Sequence, residues 1–350
     1  MAHTMQKESL LFLNRAAVRA TLEEIDPVDV VVRVLRRHAA GRTVIPAEGY
    51  LQWTNGEGAH SRAIAMLGAV EDEAGPIYGM KLINASLSNP RHGRERAGGF
   101  SVLFDPETAR PRVLAEAGYL SAIRTAAYTV VSVRHLGPVA WDALGLVGCG
   151  TLARAHVDLC VRAFPDARHV HVHDLDPARA AEFVAWVRAA HPHLSARSHR
   201  SAADVLAAAP VVVTVTTSGE PYLGRESVRP GTFLAHVSLD DLTEEVFLGA
   251  EGLFVDDVDL VRENPRRILG RLLQSGSVVA ADDGAAAPHP GRRIDGTLGQ
   301  VLLGERRAVR PTTGYVVSNP FGMSILDVGL VEAVGRAAED LELGQQLALY

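Results

Sequence analysis

The segment LGLVGCGTLARAHVDL, residues 144–159, limits the fold of this chain more than any other stretch. An apolar run ends in Gly148, a second glycine follows at Gly150, the small Ala153 comes next, and an amphipathic stretch continues behind it. A strand, a tight turn and a helix fit that order. The first glycine permits the turn, the second lets another group approach the backbone, and the small third residue lets helix and strand pack closely. The free N–H groups of the helix start then form a seat for a pyrophosphate. Asp174 ends the next strand-like run, HVHVHD, at the spacing where a carboxylate accepts hydrogen bonds from both hydroxyls of a ribose and repels a 2′-phosphate. The expected ligand is NAD rather than NADP, with Gly148, Gly150, Thr151, Leu152, Ala153 and Asp174 as its binding residues.

The surrounding text supports that reading. From ALGLVG onward, strands (HVHVHD, VVVTVTT, TFLAHVSL, LFVDD) alternate with helices (TLARAHVDLCVRAF, PARAAEFVAWVRAAH, SAADVLAAA). Near-continuous apolar strands joined by helices predict an α/β, Rossmann-type doubly wound parallel sheet covered on both faces. VVVTVTT runs into Thr216, Thr217 and Ser218, and strand ends in such sheets face the ligand crevice. These hydroxyls are candidates for lining the cofactor and serve equally well as turn formers. His169, His171 and His173 alternate along one strand, but no carboxylate or cysteine stands at ligand spacing, so no metal is expected.

Residues 9–125 have a different texture. SLLFLN reads as a short strand, and Asp26 with Pro27 opens an amphipathic helix, PVDVVVRVLRRHAAG. GYLQW, RAIAMLGAV, IYGMKLINA and a hairpin turning at DPETARP follow in succession, which predicts a mostly antiparallel sheet. YLSAIRTAAYTVVSVRHLG has helical periodicity and stops at Gly137-Pro138. The tail beginning GYVVSNPFGMSILD is expected to supply one more strand and a helix and to return to the first domain. ADDGAAAPHPGRR, residues 281–293, reads as a surface loop.

One residue in the first domain stands out by its chemistry. Of 35 Lys plus Arg, only Lys7 and Lys81 are lysines. Arginine keeps its proton in any site, whereas a lysine amine changes its pKa on burial. A lysine retained inside IYGMKLINA is therefore a candidate for proton transfer, against the plainer reading of a surface residue. Arg62 in HSRAIAM and Arg124 in SAIRTAAY lie in apolar or small-residue settings where an unpaired charge is costly, and Arg96 precedes a strand. Arginines of this kind suit a bidentate grip on a carboxylate, as an amino-acid enzyme requires. Asp241 and Glu116 are further acid/base candidates, each with a structural role as the alternative.

A net charge of −6 argues against a nucleic-acid or anionic-membrane partner. Two cysteines give no disulfide framework, and no apolar run reaches the length of a signal peptide or membrane span, so a cytoplasmic protein is expected.

Taken in order, GMKLIN, SNP, DPETARP, SAIRTAA and the GxGxxA turn resemble the ornithine cyclodeaminase/mu-crystallin family, nearly end to end. LFLNR, RAIAM, NPRHGRERAGG, DDLTEEVF, VVSNPFGMSILD and the terminal LALY favour its branch that releases L-2,3-diaminopropionate for siderophores or peptide natural products. The resemblance implies an α+β substrate and dimerisation domain, residues 1–125 and 315–350, interrupted by the NAD domain at 126–314, and a homodimer. It implies that Arg62, Lys81 and Arg124 hold the substrate carboxylate, with Arg96 and Asn319 adding to the substrate site and Thr125 lying near the cofactor phosphates. The implied reaction is NAD-dependent oxidative cleavage of N-(2-amino-2-carboxyethyl)-L-glutamate, a small amino-acid substrate made by a partner synthase that uses pyridoxal phosphate. Other outcomes on the same scaffold are an imine reductase, an amino-acid dehydrogenase, an ornithine cyclodeaminase, or a non-catalytic dinucleotide binder of mu-crystallin type. The cyclodeaminases carry an aspartate in a GGD turn, where this chain has VSLDDLTEE, and Leu67 and GTLA also depart from the family pattern. These departures put ornithine cyclisation in doubt.

Overall fold

The computed structural model describes residues 8–280 and 291–349. In chain order the first elements are β1 (Ser9–Leu13), α1 (Arg15–Thr21), α2 (Pro27–Ala39), β2 (Thr43–Val44), β3 (Gly49–Thr54), β4 (His60–Asp72), β5 (Gly75–Ser86), β6 (Ala97–Phe104), β7 (Pro111–Glu116) and α3 (Ala117–Leu136). Next come β8 (Ala143–Val147), α4 (Thr151–Ala163), β9 (His169–His173), α5 (Pro177–Ala190), β10 (Ser195–Ser198), α6 (Ala202–Ala208), β11 (Val211–Thr214) and β12 (Phe233–His236). The rest are α7 (Glu244–Leu248), β13 (Gly252–Val255), α8 (Val258–Arg262), α9 (Ile268–Ser275), β14 (Val278–Val279), β15 (Arg292–Arg293), β16 (Gly296–Thr297), α10 (Leu298–Leu303), β17 (Val316–Asn319), α11 (Ser324–Asp340) and β18 (Gln345–Ala348).

The chain divides into two compact units, Met1–Thr125 with Met323–Tyr350, and Ala126–Gly322. In the first unit the strand order is β18-β1-β7-β6-β5-β4-β2, with β3 also on β4, and every pair but β1 with β7 is antiparallel. Helix α2 opens as its sequence dictates. The Asp26 side chain accepts from the Val28 N–H and Pro27 occupies the first turn, so two of the usual helix-start devices coincide.

Helix α11 lies over β4, β5 and β6, and a pair of glycines explains how closely it sits. Gly68 and Gly79 are directly opposite one another in the β4–β5 ladder. A Cβ on Gly68 would stand 2.9 Å from the Ser324 hydroxyl, and one on Gly79 would stand 3.1 Å from Val328 Cγ2. The glycines make a flat seat for the first turns of α11, and Lys81 is two residues further along the same face of β5.

The second unit holds a fully parallel sheet in the order β10-β9-β8-β11-β12-β17-β13-β16. Its central strands are buried at every position, which explains their continuous apolar sequences. Strand order reverses between β8 and β11, so the glycine turn after β8 stands at the switch point of a doubly wound sheet.

Two expectations need correction. Val316–Asn319 is not part of the first unit but pairs with β12 and β13, because its four apolar or small residues complete the buried centre of the parallel sheet. The return therefore falls at Met323 rather than at 315. The loop expected at 281–293 lies outside the described residues as far as 290, and Arg292–Arg293 pairs with Val278–Val279 as a two-residue strand. Among the described residues no helix is long and apolar enough to cross a membrane.

Candidate active site

In the first unit, Lys81 is 2% exposed, and its Nζ donates to Asp327 Oδ2 at 2.6 Å. Arg124 Nε donates to the other oxygen, Oδ1, at 3.2 Å, so one buried carboxylate holds two cations. Asp327 lies in the first turn of α11, where the helix dipole favours a negative charge. Burial, and next the charge of Arg124, lower the Lys81 amine from 10.5 to about 8, against the opposing pull of Asp327 and Glu48. The cluster carries one net positive charge when Lys81 is protonated, which matches a single substrate carboxylate.

Arg62 shares the sheet face of Lys81. Met66 is opposite Lys81, and Arg62 is four residues earlier on β4, roughly 13 Å away along the strand. Arg96 lies near enough for the Arg62 charge, after burial itself, to lower its pKa. Neither guanidinium has a carboxylate partner among the described residues. Arg62 borders a cavity of about 510 Å³ whose lining includes Trp53, Asn84, Ser86, Glu95 and Phe100. The structure thus joins Lys81 to Arg124 and sets Arg62 with Arg96 as a second cationic spot. Thr125, one residue beyond Arg124, donates its hydroxyl hydrogen to the Ser121 carbonyl at 2.7 Å.

Both carboxylate oxygens of Glu116 are engaged. Its Oε1 accepts from Arg15 Nη2 at 2.8 Å and from the Gly118 N–H at 2.9 Å, while Oε2 accepts from the Tyr119 N–H at 3.0 Å. It pairs with Arg15 and caps the start of α3.

In the second unit, Gly148 has φ +98, and a Cβ there would stand 2.8 Å from the Val215 carbonyl oxygen. Only glycine fits that turn without strain. At Gly150 a Cβ would meet nothing within 4 Å, so the backbone before α4 is open to a ligand. No side chain caps α4, which leaves its first N–H groups directed at that open space. Thr151 is exposed there, Leu152 half-buried and Ala153 buried against the sheet. Asp174 Oδ2 accepts from the Cys149 N–H at 2.8 Å, which ties the end of β9 to the turn. A cradle of this build fits a dinucleotide.

The hydroxyls after β11 are mostly engaged in building the crevice floor. Thr216 and Ser238 donate to the two carboxylate oxygens of Asp241, which is fully buried. Asp241 therefore ties the loop after β11 to the loop after β12. Ser218 donates to the Glu220 carbonyl at 2.7 Å in a local turn, and Thr217 is left exposed. Asp240 pairs with Arg267. Asn319, at the end of β17, accepts from His236.

Sequence reasoning missed Asp327 as a site residue. Its signal was a lone acid in the apolar run SILDVGLV, which is as costly when buried as the arginines that were noticed.

The model described as the ornithine cyclodeaminase/mu-crystallin family matches residues 9–341. N-((2S)-2-amino-2-carboxyethyl)-L-glutamate dehydrogenase of Staphylococcus aureus is 27% identical over 346 residues, covering 97% of this chain and 99% of that protein. The crystal structure of CmnK is similar with a TM-score of 0.90 and 52% identity, covering 98% of this chain and 99% of that one. An archaeal alanine dehydrogenase dimer with bound NAD has a TM-score of 0.81 and 22% identity, covering 98% of this chain and 100% of that one.

Proposed function

The chain belongs to the ornithine cyclodeaminase/mu-crystallin family, and from that premise we propose that it is an NAD-dependent dehydrogenase acting on the CH–NH bond of an amino-acid substrate, N-(2-amino-2-carboxyethyl)-L-glutamate. The observation that carries the reading is the buried Lys81, paired with Asp327, whose other oxygen holds Arg124, and lowered to about 8. A binding protein gains nothing from such a group, whereas an oxidation that begins on an amine needs a proton acceptor. The Staphylococcus aureus relative, similar over nearly its whole length, supports the substrate.

The glutamate Cα–N bond is oxidised to an imine, and water then splits the imine into 2-oxoglutarate and L-2,3-diaminopropionate. NAD supplies the two-electron acceptor when bound, with the amide groups at Gly150, Thr151 and Leu152 for its phosphates and Asp174 for its ribose. Arg124 and Lys81 bind the carboxylate on the reacting carbon and fix its orientation. In its neutral form Lys81 takes the proton from the secondary amine, releases it to solvent, and can then accept one from the attacking water, tasks that arginine cannot perform. Arg62 and Arg96 remain for a further carboxylate, of which this substrate has three.

A homodimer is part of the proposal. Leu51, Trp53, Leu67, Tyr78 and Phe100 are each 42–64% exposed and share the face of the first sheet opposite to Lys81. Five large apolar side chains on one open sheet face suit burial against a second copy.

The test is NADH formation at 340 nm with NAD and this substrate, with alanine and ornithine as comparisons and 2-oxoglutarate measured as product. Absorbance that rises equally with alanine would reject the substrate, and no rise with any amine would reject the enzyme.

A further inference from the structure

His236 and Asn319 are both at the carboxyl edge of the parallel sheet, the last residues of β12 and β17. Ligands of such sheets bind at that edge. His236 is fully buried and Asn319 is 3% exposed. The backbone N–H of Asp241 donates to His236 Nε2 at 3.0 Å. An N–H cannot accept, so Nε2 is the bare nitrogen of the ring and the hydrogen is on Nδ1. Nδ1 is 2.7 Å from Asn319 Oδ1, and the bond runs from ring to amide oxygen.

This fixes the amide as well. With Oδ1 turned to the ring, both Nδ2 hydrogens face away from it, and they donate to no neighbour among the described residues. Nδ2 is not among the buried atoms left without a partner, so it reaches solvent on its far side, where a ligand oxygen can replace water. Burial favours the neutral ring. Burial lowers its pKa, while Asp241, Asp240 and Asn319 raise it and Arg267 lowers it further; the net direction is down. The ring of Phe247, 5.6 Å away between centroids, closes one side.

We propose that His236 is a positioning residue that holds the Asn319 amide with its NH2 toward the carboxyl edge of the sheet, where it donates to the carbonyl oxygen of the nicotinamide carboxamide. The inference rests on the dinucleotide reading above and deepens it.

The experiment begins with wild-type protein labelled with 15N-histidine. Long-range proton–nitrogen spectra at pH 7 are expected to give His236 as the neutral Nδ1–H form, and an Nε2–H form or an imidazolium would overturn the proposal. Asn319→Asp keeps the acceptor for His236 but replaces the NH2 with an oxygen. It should retain the wild-type Tm and wild-type affinity for ADP-ribose. If the carboxamide is the acceptor, its NADH affinity falls at least tenfold. His236→Phe should impair the same quantity, and the double variant should be no worse than Asn319→Asp alone. Equal NADH affinity in Asn319→Asp would overturn the amide's role. Wild-type protein that binds neither NADH nor ADP-ribose would instead overturn the dinucleotide reading.

Discussion

Replacing Lys81 by arginine tests the chemistry most directly, because it keeps the charge and removes the proton acceptor. The lysine is lowered from 10.5 to about 8, which corresponds to roughly 3 kcal/mol against the ammonium. At pH 7 a lysine with that pKa is neutral in about one molecule in ten, against about one in three thousand for an ordinary lysine. Arginine offers no neutral form at all. In the wild type, kcat/KM for the amine should rise with pH and level off above an ionisation near 8. In Lys81→Arg it should fall by about 10²- to 10⁴-fold, the usual worth of general acid/base catalysis, and that ionisation should vanish. The assay is NADH formation followed from pH 6 to 10. An arginine variant within about fivefold of wild type that still shows the ionisation would refute the proton-transfer role.

The two glycines should separate folding from binding: Gly150→Ala keeps the wild-type Tm and loses NADH affinity, whereas Gly148→Ala also loses about 1–3 kcal/mol of stability by chemical denaturation, from its clash with Val215 and its positive φ. Arg96→Ala should raise KM for the three-carboxylate substrate by about 10- to 100-fold, the worth of a charge-assisted hydrogen bond, and an equal change with alanine would show that no distal carboxylate is bound there. Leu67→Arg with Phe100→Arg should give monomers by light scattering where the wild type gives dimers, and a monomeric wild type would end the dimer proposal. His156, buried with Nδ1 on the Leu152 carbonyl at 2.7 Å, is lowered to about 4. Between about pH 4 and 6.5 the folded protein then binds fewer protons than the unfolded chain, so stability is lost as pH falls through that window. In His156→Gln the acid loss measured by denaturant titration should be shallower, and an unchanged slope would refute the assignment.

What could be read from the sequence depended on how local its cause was. The turn at Gly148 and Gly150 was legible because its physics is contained in a few neighbouring residues. Lys81 and Arg124 were legible because a cation in an apolar run needs a reason. Asp327 was not, since its meaning comes from a lysine 246 positions away and from a helix seated on Gly68 and Gly79. Glu116 and Asp241 looked like acid/base candidates because composition alone does not reveal that backbone amides and hydroxyls occupy their oxygens. Strand β18 went unread, and β17 was given to the wrong unit, because four-residue segments take their partners from the sheet rather than from their own pattern.

The span from Lys81 to Asp327 also governs the order in which the protein can be made. During synthesis the lysine leaves the ribosome long before the carboxylate that will neutralise it, with the whole second unit translated in between. Until the last few dozen residues emerge, the β4–β5 hairpin lacks α11 and Lys81 lacks its partner Asp327. The nascent first unit therefore waits, open on one face, while the second unit is free to fold as an independent domain. A stop codon between residues 323 and 327 would leave the second unit encoded in full and remove Asp327 from Lys81.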